Sequence, residues 1–263
     1  FYINLSNLLF SVSLNIYLIV FVGLGLNGAI WTIAVSSVFG LLLILFNVKI
    51  PLNNKYNLSI IRKMFKYGIP NVPNYLQAII MALFGQFYLS NKLSVEELGF
   101  YAVAWKFCLP LVVVLSVIHN SWKAYKFDLL KSSQKVDELF TQFSTIMLMI
   151  YCSIFLIICF WGGDFLKLFT DISFHNAEQY VSYLCLIPLF QAFYHCFSSF
   201  ISFGEKQTLN PFIGFGGLVF TVVPSYVLIP NYGIIGAAFS TSLGWLVMAI
   251  LGYLYGQTIY KVN

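Results

Sequence analysis

Nearly unbroken apolar stretches divide the chain at about 5–22, 29–47, 70–90, 99–118, 140–161, 179–203, 211–229 and 233–256. Each approaches the ~20 residues a helix needs to cross a hydrocarbon core of ~30 Å. None alternates apolar with polar positions as barrel strands do. The pattern predicts an all-α fold, a polytopic transmembrane helical bundle of eight spans. The last two spans echo the first two. A shift of 208 residues lays Gly25 on Gly233, Gly28 on Gly236 and Ala29 on Ala237. Small residues then recur every fourth position: Gly28, Thr32, Ser36 and Gly40 in the first copy, and Gly236, Ser240, Gly244, Gly252 and Gly256 in the second. Such a seam lets helix backbones approach where lipid supplies no hydrophobic drive for association. A hairpin of this kind occurring twice predicts one bundle repeated, as in transporters built of parallel repeats.

The segment Asn57–Tyr67 breaks the pattern. Leu58, Ile61, Met64 and Phe65 fall on one helical face, with Arg62, Lys63 and Lys66 on much of the rest. This predicts a helix lying at the membrane interface. Gly68, Pro70 and Pro73 follow it. The expected organisation is therefore 1–48 as the last two helices of an N-terminal lobe, 49–69 as a cytoplasmic linker, and 70–263 as a C-terminal six-helix lobe. The chain begins with Phe1 and shows neither the n-region nor the cleavage site of a signal peptide. It reads as the C-terminal part of something longer.

Composition agrees: 60% of residues are apolar and 9% charged, against roughly 25% charged in soluble domains. The charges are sorted. Lys49, Lys55, Arg62, Lys63, Lys66, Lys123, Lys126, Lys131, Lys135, Lys206 and Lys261 fall on one side of the predicted bundle, whereas only Lys92 and Lys167 fall on the other, among Glu96, Glu97, Asp164, Asp171 and Glu178. The positive-inside rule places the first set, and both chain ends, in the cytoplasm. The net charge of +5 follows these loops, so no nucleic-acid partner is expected. Five cysteines lie in apolar runs without metal-ligand spacing, so neither metal nor other cofactor is expected. His119, His175 and His195 have no Asp or Ser at catalytic spacing, which argues against a membrane enzyme.

Three motifs carry a resemblance: Lys66-Tyr67-Gly68-Ile69-Pro70 opening the third span, Gly99-Phe100-Tyr101-Ala102-Val103-Ala104-Trp105-Lys106 opening the fourth, and Pro230-Asn231-Tyr232-Gly233-Ile234-Ile235-Gly236-Ala237-Ala238 opening the last. In order and spacing they resemble the polysaccharide-export (Wzx-type, O-antigen) flippases, of the same superfamily as the multidrug-and-toxin exporters. The resemblance implies two six-helix lobes around a central cavity, with the eight spans as helices five to twelve of twelve. It implies translocation of undecaprenyl-pyrophosphate-linked oligosaccharide across the bacterial inner membrane by alternating access. The partners it implies are membrane lipids, that substrate, the N-terminal lobe of the same chain and a glycan polymerase of the same pathway. Many relatives carry an acidic-Arg pair near the end of the third span; Gly85-Gln86 stands here instead. A cation-coupled multidrug exporter is the alternative from the same fold.

The candidate substrate-binding residues are the polar groups inside the spans. Lys106, ~10 Å along its helix from the outer end, is a candidate for the pyrophosphate or for sugar carboxylates; the competing reading is a lysine snorkelling to the headgroups. Gln191, His195, Ser198 and Ser202 share one helical face, readable as a wall for sugar hydroxyls or as helix-to-helix hydrogen bonding. Asn74 and Gln77 share a face beyond Pro73, readable as cavity groups or as repair of the broken helix start. Tyr101, Trp105, Trp122 and Tyr125 are candidates for stacking on sugars or for anchoring at the interface. His195 is also a candidate proton carrier. No Asp or Glu is expected inside a span; Asp164 is expected just beyond the fifth.

Overall fold

The computed structural model describes residues 2–47, 58–69, 72–129, 136–203 and 210–257, without the side chains of 2, 60, 63, 66–67, 74–75, 123–129, 136–140 and 199–203. The described residues are helical apart from short connections and contain no strand. The chain forms two compact units, Phe1–Ile60 and Ile61–Asn263. Among the described residues, six helical segments are long and apolar enough to cross a membrane. One of them, 48 residues long, folds back on itself. The fold is an all-α polytopic membrane bundle.

In the first unit, α1 (Tyr2–Ile16) widens into π turns over Tyr17–Phe21 and is followed by α2 (Gly25–Asn47). The expected seam forms. Gly28, Thr32 and Ser36 are the buried residues of α2, Gly28 lies against the Leu18 backbone and Gly40 against Asn7. Outside, Leu26 is 78% and Phe46 85% exposed while Thr32 is 2%. Small and polar groups inside with large apolar groups outside is the inverse of a water-soluble hairpin. It suits a hydrocarbon solvent, in which close backbone packing holds helices together.

The second unit contains α3 (Leu58–Gly68) from Ile61 onward, α4 (Val72–Lys92), α5 (Val95–Leu129), α6 (Val136–Phe169), a 3₁₀ turn (Ile172–Ala177), α7 (Glu178–Phe203) and α8 (Asn210–Gln257). On α3, Leu58, Met64 and Phe65 are exposed and Ile61 is half-buried. Helix α4 falls short of the apolarity of a spanning helix, because Gln77, Gln86 and Asn91 interrupt it; it packs along α8. Helix α7 is central, packing on α5, α6 and α8 through Val181, Leu184, Cys185 and Ala192, all nearly inaccessible. Cys108 of α5 and Cys185 of α7 are free thiols whose sulfurs lie 2.8 Å apart at this contact.

Helix α8 holds the seventh and eighth predicted spans. Its two legs meet at Gly233, whose φ of 55° and ψ of −126° are open only to glycine. Gly25 likewise begins α2 at φ 52°, so each echoed glycine turns its hairpin. Across the legs the Ser225 and Ser240 hydroxyls lie 2.9 Å apart. Gly217 faces Met248 and Gly244 faces Thr221, with no room for a β-carbon at either glycine.

Two expectations need correction. The predicted 99–118 and 140–161 are cores of longer helices, Val95–Leu129 and Val136–Phe169, because helix-favouring polar residues extend each beyond its apolar run. Asp164 therefore lies within α6, exposed, rather than beyond it. Trp122 is not an interface anchor: it is 5% exposed and stacks on Phe143 of α6 with ring centroids 3.7 Å apart.

Candidate functional site

The second unit encloses a cavity of about 310 Å³ between α4, α5, α7 and the second leg of α8. Helical spacing explains the space. On α4, Ala78, Ala82 and Gly85 present a small-residue strip; on α8, Ala237 and Thr241 do the same. A β-carbon at Gly85 would still stand 3.7 Å from the Thr241 hydroxyl, so here the two helices stand apart, unlike the closed seam between the legs of α8. Larger groups shape the remaining walls: Tyr101 and Trp105 from α5, Ile187 and Gln191 from α7, Trp245 from α8 and Gln86 from α4.

Three aromatic rings, two primary amides and a threonine hydroxyl thus converge on one space. None of the described lining residues carries a charge. Amides and hydroxyls in a mostly apolar cleft orient a ligand through hydrogen bonds, and the rings offer flat apolar faces with polar edges.

Of the residues singled out from the sequence, Tyr101, Trp105 and Gln191 line this cavity. Gln77 is buried one position from the wall residue Ala78; its amide nitrogen lies 3.3 Å from both the Met81 and Met248 sulfurs, and its amide oxygen has no hydrogen-bond partner. Lys106 is exposed on the face of α5 that also carries Ala102, Leu109 and Pro110, and it is absent from the cavity wall. The side chains of Asn74, Tyr125 and Ser202 lie outside the described residues. The expected shared face of α7 divides: Gln191 reaches the cavity, Ser198 donates to the His195 carbonyl oxygen at 3.4 Å, and His195 packs on Trp245 and on His119 of α5.

Gln86, Thr241 and Trp245 add further wall groups. Gln86 is a neutral wall group. Trp245 follows Ala237 and Thr241 at four-residue steps, a small-small-large strip already present in the sequence. Nothing in the sequence alone tells which helix that strip meets. Among the described residues no three or more His, Cys, Asp or Glu side chains cluster as a metal site would require.

No family model matches the chain, and no curated protein does. Solved structures do. The fold is similar to that of a multidrug resistance MATE family transporter of the MOP superfamily in its inward-facing conformation, with a TM-score of 0.71 and 16% identity over 96% of this chain and 62% of that one. It is also similar to an outward-facing conformation of such a transporter, at TM-score 0.67 and 17% identity over 95% and 59% of the two chains. A MATE in the bent conformation gives 0.65 and 17% over 96% and 60%. The chain thus spans about 60% of the length of the structures it resembles.

Proposed function

We propose that this chain belongs to an alternating-access exporter that carries undecaprenyl-pyrophosphate-linked oligosaccharide repeat units from the cytoplasmic to the outer leaflet of a bacterial inner membrane. The observation that carries the reading is the uncharged cavity of amides, hydroxyl and aromatic rings, chemistry that fits sugar rings and their hydroxyls. Lys106, outside that wall, would meet the pyrophosphate while the prenyl tail stays in the bilayer. Charge sorting along the chain supports cytoplasmic ends. The amphipathic α3, with Leu58, Met64 and Phe65 exposed, supports a place for that helix on the cytoplasmic leaflet. The N-terminal lobe would close the transport path from the other side.

The fold neighbours favour a second reading, since they are multidrug transporters. A cationic drug, however, gains most from a carboxylate in its site, and the described wall offers none. The two readings separate in a binding experiment on the full-length protein in lipid nanodiscs, titrated with a short-prenyl lipid-linked oligosaccharide and with a lipophilic cation. We expect the oligosaccharide to bind and Trp105→Ala to weaken it about tenfold, the equivalent of ~1.4 kcal/mol. Binding of the cation alone would establish the drug-exporter reading.

A further inference from the structure

Two of the chain's three histidines meet, although 76 residues separate them in sequence. The His119 and His195 ring centroids lie 4.4 Å apart with the planes inclined at 43°. Each is three residues inside the end of its apolar span, Val95–Trp122 and Ile172–Ser198. Both border a void of about 20 Å³ between α5, α6 and α7, room for one water molecule. His195 also approaches Trp245, centroid to centroid 6.3 Å, and Trp245 forms part of the cavity wall.

We propose that His119 and His195 together form a proton-binding site that joins the α5–α7 contact to the cavity through Trp245. Imidazole is the side chain whose charge changes near neutral pH. Two imidazoles this close cannot charge independently, because a second positive charge meets the first. The chemistry is one proton transfer: a ring-nitrogen lone pair forms an N–H bond as an O–H bond of hydronium breaks and releases water, with nothing oxidised or reduced. The His195 and Trp245 rings are tilted neighbours, inclined at 44° with centroids 6.3 Å apart, so a charge on the pair develops beside a wall residue of the cavity. The groups facing the pair are Tyr151 on α6, Tyr194 and Cys196 on α7, and Trp245 on α8. None of the described side chains around the void is a carboxylate, lysine or arginine. Lys123, one turn beyond His119, lies outside the described side chains.

The pair does not depend on what fills the cavity; only its link to transport rests on the exporter reading. The test is a pH titration of full-length protein in nanodiscs with ¹⁵N-labelled histidine, followed together with tryptophan fluorescence. We expect two of the ring systems to take up protons jointly, in steps at least about one pH unit apart, a tenfold difference in proton affinity. His119→Gln should collapse these to one step, and Trp245→Phe should remove the accompanying fluorescence change. Two rings that each follow their own single-step curve in the unsubstituted protein, with neither curve showing the other's step, would overturn the site without any variant having to fold. Joint uptake without a Trp245 signal would overturn the link to the cavity. Neither readout measures transport, so failure here is distinct from failure of the substrate assignment.

Discussion

At position 244 a β-carbon would collide with the Thr221 hydroxyl and come within 2.6 Å of the Gly217 carbonyl oxygen and 2.8 Å of the Met81 methyl. At position 85 its nearest neighbour would be the Thr241 hydroxyl, 3.7 Å away. The same substitution should therefore have different consequences at the two sites. Gly244→Ala forces the legs of α8 apart and should destabilise the protein by about 1–3 kcal/mol, the usual cost of overpacking. Gly85→Ala should leave thermal unfolding nearly unchanged while narrowing the cavity and weakening substrate binding. Unfolding scans in one detergent, beside the binding titration, check both; equal stability losses would mean that the legs are not in close contact. The seam containing Gly244 was legible in the sequence, since recurrence every fourth residue is a property of one helix. The role of Gly85 was not, because it depends on Thr241, 156 positions away.

At the scale of elements, the apolar runs located the spans but not their ends. Helix α5 starts four residues before its predicted 99 because Ser94 and Glu97 cap it reciprocally: the Ser94 amide donates to the Glu97 carboxylate at 3.0 Å and the Glu97 amide to the Ser94 hydroxyl at 3.2 Å. Ser94→Ala should cost about 0.5–2 kcal/mol, read as faster amide exchange in the first turn of α5 rather than throughout the bundle. The short segment between α6 and α7 carries a second, pH-sensitive cap. The Ser173 amide donates to the Asp171 carboxylate at 3.0 Å, holding that carboxyl below its ordinary value. Because the folded-state value is depressed, this stabilisation is present at neutral pH and is lost as pH falls through the folded value. Once intrinsic exchange is corrected for, protection of the Ser173 amide should therefore decline on acidification. In Asp171→Asn it should show no such pH dependence. Polar positions that extend a helix past its hydrophobic run were visible as residues but not as caps, since capping requires the turn itself.

At the scale of the whole molecule, the two echoed hairpins show how a sequence repeat becomes a structural one. Gly25 and Gly233 both adopt positive φ, and Gly28 and Gly236 both place the following helix against the backbone of the preceding one. The repeat and the membrane bundle could be read directly from residue spacing. The cavity could be read only in part: Tyr101, Trp105 and Gln191 were identified, whereas Gln86, Thr241 and Trp245 waited on knowing that α4, α7 and α8 surround one space. Lys106 illustrates the limit, since an intramembrane charge marks a candidate but not the direction in which it points. The central claim concerns what crosses the membrane. Its most direct test restores the full-length protein to a bacterial strain lacking its own oligosaccharide flippase and supplies the native sugar precursor. Lipid-linked repeat units are then counted on each leaflet for the unsubstituted protein, Gln191→Leu and Lys106→Ala. The account predicts outward movement by the unsubstituted protein and at least about tenfold slower movement by Gln191→Leu at equal protein level, the effect of losing ~1.4 kcal/mol of transition-state stabilisation. Slowing by Lys106→Ala would add the pyrophosphate contact. Repeat units that stay on the inner leaflet, with folded protein in the membrane, would contradict it.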